Sequence, residues 1–198
     1  MTDFTVELSF RPNGTSLNAG YQTFVEIDGL SNDAVQPFRL MRFGRTDANP
    51  DGVGFAVDDG DLILEVRTTD GVTWDSTALN LIDVSTFNED EWYHLSIVAD
   101  SAAGTLSAYR YNEGTMAYDL LGTATGYTGD TVGGRNWTIG RGAFNNGAND
   151  WVADANFDEF RLSDNALAVS DLLYSIPEPN TLLLGLFALT TLARRQRI

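Results

Sequence analysis

The chain has 198 residues, enough for one domain and an appendage, and 43% of them are hydrophobic, enough to build a core. It has no cysteine, which excludes a disulfide framework and a thiolate metal site. Its net charge is −16, and every one of its 12 basic residues is arginine; with no basic patch, nucleic-acid binding is excluded.

In chain order, apolar and polar residues alternate over short windows. Phe4–Phe10 (FTVELSF) places Phe4, Val6, Leu8 and Phe10 on one face, at the two-residue period of a half-buried strand. Tyr21–Ile27, Phe38–Phe43, Val53–Val57 and Asp61–Thr68 repeat the pattern, as do Trp92–Asp100, Gly104–Tyr111, Asp119–Thr125, Asn136–Arg141 and Asn156–Leu162. Turn signals rich in Gly, Asn and Asp separate them: RPNG, NPDG, DDGD, TTDG, SAAG, YNEG and NNGAND. Ten closely spaced strands without a long helical period predict an all-β fold, a sandwich or a jelly roll. A short helix is expected over Asn165–Ser175, where apolar residues fall three and four apart. Leu95, Ile97 and Leu106 are expected on inner faces, with Trp92, Trp137 and Phe160 as large core aromatics. Trp74 and Trp151 sit in turn-rich stretches and are the candidates for a sugar-stacking surface.

After Tyr174 the pattern stops. The last 23 residues, 176–198, hold Pro177-Glu178-Pro179, an apolar run over 181–193, and Arg194, Arg195 and Arg197. This tail carries three arginines against one acid, so the body alone carries −18. A core helix would need a polar face, which the run lacks. Thirteen helical residues rise about 20 Å against a hydrocarbon core of roughly 30 Å, a gap that snorkelling arginines and local thinning close. Arginines beyond an apolar run stay cytoplasmic, which puts the acidic body outside the inner membrane.

Acidic motifs offer chemistry. Asp47 to Asp58 (DANPDGVGFAVD) reads D-x-N-x-D-G-x5-D, so Asp47, Asn49, Asp51 and Asp58 are candidate ligands for calcium, a hard cation held by oxygens. The competing reading is an acidic hairpin turn closed by Asx bonds; DDGD and NNGAND are looser alternatives. Glu26-Ile27-Asp28-Gly29-Leu30-Ser31 is close to a glucanase strand, but Ser31 stands where the second carboxyl is needed, and retaining hydrolysis requires two about 5–5.5 Å apart. Glu26 is therefore expected at a surface strand end. Asp158 and Glu159 are consecutive and expected on opposite faces, so they form no dyad. His94 is expected to be structural. No G-x-S-x-G, P-loop or H-E-x-x-H motif occurs, and no catalytic residue is assigned.

Three landmarks carry a resemblance: FTVELSFRP, then EWYHLSIVADSAAGTLSAYRY with its D-x-x-x-G turn, then the closing run from WTIGR through NFDEFRLSDNALAVSDLL. Together they resemble the laminin-G-like branch of the concanavalin-A-like jelly rolls over residues 2–174. The family commonly has one or two strands ahead of the first landmark, so an N-terminally truncated domain is expected. The tail resembles the PEP-CTERM sorting signal of exported bacterial proteins. That resemblance implies an exosortase-type membrane protease as partner, a transient inner-membrane anchor, and delivery to the cell surface or extracellular matrix. Together the two resemblances imply a non-enzymatic, exported envelope protein that binds glycan, including exopolysaccharide, or protein ligands, with calcium as candidate cofactor. The alternatives are a concanavalin-like glycan hydrolase or lyase, predicting converging carboxylates in a groove, and a purely structural matrix protein.

Overall fold

The computed structural model describes residues 2–13, 21–27, 38–42, 56, 58, 60–69, 74–88, 90–129, 136–142 and 152–175, with backbone only at 67–69, 74–78 and 84. The described strands are β1 (Phe4–Pro12), β2 (Gln22–Ile27), β3 (Phe38–Arg42), β4 (Leu62–Thr69), β5 (Trp74–Ile82), β6 (Tyr93–Asp100), β7 (Thr105–Asn112), β8 (Ala117–Thr125), β9 (Trp137–Ile139) and β10 (Ala155–Ser163). They form two five-stranded antiparallel sheets, ordered β10-β1-β6-β7-β8 and β5-β4-β3-β2-β9.

The core lies between the sheets, and the period-two face of β1 builds it. Phe4, Val6, Leu8 and Phe10 are buried opposite Ala99, Ile97, Leu95 and Tyr93 of β6. Aromatic contacts join the sheets: Phe10 meets Phe24 at 4.3 Å between ring centroids, and Phe4 meets Phe38 edge-on at 5.7 Å. Such pairs add about 0.5–1.5 kcal/mol each beyond area burial. Leu95, Ile97 and Leu106 belong to this cluster, as expected. The D-x-x-x-G turn joins β6 to β7: Asp100 Oδ1 accepts from the Ala103 N–H (2.8 Å), and Gly104 takes φ +66°.

The outer face of β1 is also buried: Thr5, Glu7 and Ser9 are at most 1% exposed. Residues 164–175 fold back over it as a strap. Thr5 Oγ1 donates to the Asn165 carbonyl (2.8 Å) and accepts from the Leu167 N–H (2.9 Å). Glu7 accepts from the Leu173 N–H (2.6 Å) and from Ser96 Oγ, and pairs with Arg161. Arg161 Nη2 also donates to the Asp171 carbonyl (2.8 Å), and Leu172 is fully buried.

Four expectations are corrected. Asn165–Ser175 is no α-helix but two 3₁₀ turns, Val169–Asp171 and Leu173–Ser175, with Ala168 and Leu172 extended. Side chains of β1 take the N–H groups of Leu167 and Leu173, which lays the segment along the sheet. Trp74 lies in no turn; it opens β5, opposite Thr69. Trp92 and Phe160 are not core residues: each is 37% exposed. Glu26 is not a surface residue but fully buried. The expected strand Val53–Val57 lies outside the described residues except Ala56, which belongs to no strand.

Candidate functional site

An open cleft of about 530 Å³ lies where β6 begins and the β7–β8 hairpin turns. Both strand parities contribute to its lining: Arg110 and Asp119 lie in register with Leu95 and share its side of the sheet, and His94 does not. Tyr93 and Leu95 face the core, so Trp92 and His94 point the other way. Trp92 forms one wall, its ring parallel to that of His94 (6.5 Å, interplanar angle 6°). Tyr111 forms the next wall, stacked on Tyr174 of the strap at 4.9 Å.

Asn112 shapes the hairpin. Its Oδ1 accepts from the N–H groups of Gly114 (3.0 Å) and Thr115 (3.3 Å), and its Nδ2 donates to Asp119 (2.9 Å). Met116 takes a left-handed φ of +52° in the same turn. This geometry projects Glu113, whose side chain is 76% exposed, across to His94 Nε2 at 3.1 Å. Opposite stands Arg110, its guanidinium 4.4 Å over the Tyr93 ring and 3.5 Å from Glu91. The cleft thus combines an exposed indole, carboxylates, a guanidinium and an amide.

His94 is held on both nitrogens, Nδ1 by Ser9 Oγ (2.7 Å) and Nε2 by Glu113. Serine, histidine and glutamate therefore stand in a row. Ser9, however, is buried beneath Tyr174, whose hydroxyl shares its Oγ (2.8 Å), so an electrophile has no approach to it. The row is a fixed scaffold, in keeping with a structural His94.

The other expected positions fall elsewhere. Asp58 is exposed, and its N–H donates to the buried Asp61 carboxylate (2.9 Å), which also accepts from Asn80 Nδ2 (2.8 Å). Asp47, Asn49, Asp51 and Trp151 lie outside the described residues, and of Trp74 only the backbone is described. The whole sorting motif, Pro177, Glu178, Pro179, Arg194, Arg195 and Arg197, lies outside them too. Among the described residues no helix is long and apolar enough to cross a membrane. Asp158 and Glu159 are both exposed, and strand alternation fails between them: the β1–β10 register slips there, with Glu159 as the extra residue at φ +54°.

Sequence reasoning missed Trp92, Arg110, Glu113 and Asp119 as a group. One signal was present. In EWYHLSIV, Tyr93 shares parity with Leu95 and Ile97, so Trp92 must face away from the core they fill.

No family model matches the chain, and no curated protein matches it. Solved structures do. The CBM40 domain of the Ruminococcus gnavus IT-sialidase superposes with a TM-score of 0.57 at 14% identity, covering 86% of this chain and 80% of that one. The fold is a jelly-roll sandwich. The same CBM40 domain has been solved bound to α2,3-sialyllactose. The leech intramolecular trans-sialidase gives a TM-score of 0.59 at 18% identity over 90% of this chain, which spans only 24% of that enzyme's length. A SAP-like pentraxin from Limulus polyphemus gives 0.52 at 13% identity, covering 88% of this chain and 68% of that one.

Proposed function

We propose that the domain is an exported, laminin-G-like glycan-binding module that seats a sugar in the cleft beside Trp92, and that it catalyses no reaction. One observation carries the reading: a large aromatic ring stands 37% exposed at the mouth of a 530 Å³ cleft lined by hydrogen-bonding side chains. An indole face packs against the C–H face of a sugar, and carboxylates and amides meet its hydroxyls. The sialyllactose-bound CBM40 neighbour supports the same use of this sandwich. The test is a glycan array with the wild type and Trp92→Ala. Because Trp92 lies outside the core, the variant should keep its Tm and lose at least about tenfold in binding. Unchanged binding would remove the cleft from the proposal.

Calcium belongs to the proposal through the oxygen donors Asp47, Asn49, Asp51 and Asp58, a set that suits a hard cation. Adding calcium should raise Tm, and Asp47→Asn together with Asp51→Asn should abolish the rise. The tail completes the proposal: Pro177-Glu178-Pro179 as the recognition motif of an exosortase-type protease, 181–193 as a temporary inner-membrane anchor, and the body released toward the surface or its exopolysaccharide matrix.

A further inference from the structure

Resting on the glycan-binding reading, we propose that the cleft selects uncharged sugars and rejects sialic and uronic acids. Its lining sets three carboxylates, Glu91, Glu113 and Asp119, against one guanidinium, Arg110. Arg110 stands 3.5 Å from Glu91 and stacks on Tyr93, while Glu113 meets His94 and Asp119 meets Asn112, so each carboxylate has one partner and keeps further lone pairs. The Asn112 amide is committed to the hairpin, both to Asp119 and to the turn N–H groups. A second guanidinium, that of Arg11, stands over the Trp92 ring, 5.9 Å from its centroid, but does not line the cleft.

Donor and acceptor chemistry gives the direction. A sugar carboxylate needs N–H donors, and the cleft offers chiefly oxygen acceptors. A neutral sugar presents hydroxyl protons, which carboxylates accept. The net charge of −16 adds a long-range field of the same sign, opposing approach of an anion. The cleft therefore differs in preference from the CBM40 neighbour with bound sialyllactose, whose sequence is only 14% identical.

The experiment is an array of matched glycan pairs, each an uncharged oligosaccharide and the same core carrying sialic or uronic acid. Wild type, Trp92→Ala and the triple variant Glu91→Gln/Glu113→Gln/Asp119→Asn are compared in low and high sodium chloride. The wild type should favour the uncharged member by at least about tenfold in low salt. High salt and the triple variant should each narrow that ratio. A preference for the charged member, or a ratio that neither salt nor the triple variant moves, overturns this inference. If binding still depends on Trp92 in those cases, the glycan-binding reading stands without it. No binding to any member overturns both. Should the triple variant fail to fold, the salt series on the wild type decides.

Discussion

Burial acts first on the phenols of Tyr93, Tyr118 and Tyr174. It lifts each above the ordinary value of 10.0, because the phenolate loses hydration that the neutral form hardly needs. Hydrogen bonds work the other way: the Asn88 N–H on Tyr93, Ser96 and the Tyr174 N–H on Tyr118, and Ser9 on Tyr174. At Tyr174 the carboxylates of Glu159, Asp158 and Glu113 add to the rise. The sign follows from linkage. Above pH 10 the unfolded chain releases phenol protons that the folded chain keeps, so stability held below pH 10 is lost as pH rises through the folded values. Thermal melts between pH 8 and pH 12 should show a fall beginning near pH 10, and Tyr174→Phe should make it shallower. At this scale the sequence was legible for the core, where parity decides, and illegible for Tyr174. Only the fold brings Tyr174 to Ser9, 165 residues away.

Among elements, the strap is the least ordinary. It gives β1 a second buried side without adding a layer of regular structure. Leu172 is its apolar anchor, fully buried yet outside the main core cluster. Leu172→Ala should cost about 2–4 kcal/mol, a fall in Tm of roughly 5–15 °C. A Tm within a degree of wild type would mean that the strap contributes no packing. The strap also shows why helical spacing misled: apolar residues three and four apart suit a helix, but Thr5 and Glu7 claim the N–H groups that a helix would use. β5 escaped notice for a related reason. A register shift pairs Leu62 with Ile82 and Ile63 with Asn80, leaving Leu81 as an extra residue. Leu81 and Ile82 are then both buried and the alternation disappears.

For the whole molecule, the sandwich was legible from the rhythm of strands and turns, because burying one face of each strand imposes a period of two. The cleft was not, because it joins the start of β6 to a hairpin about 20 residues later, a juxtaposition that periodicity does not encode. The strap's final turn ends at Ser175, one residue before the appendage begins. If the appendage is an address removed after export, the protein recovered from its own host should end near Pro177–Pro179 by mass spectrometry and lie outside the inner membrane. An uncut chain retained in the cytoplasm would leave a jelly-roll sandwich and the glycan-binding proposal without the export proposal.

The pairing of β1 with β10 bears on the timing of assembly. Thr5 meets Ser163, and Glu7 receives the Leu173 N–H, so the earliest strand is completed by some of the last described residues. Loops of that length close slowly, and contacts so remote in sequence stabilise nothing until they form. A nascent chain therefore holds β1 without one of its neighbours until β10 and the strap have been made.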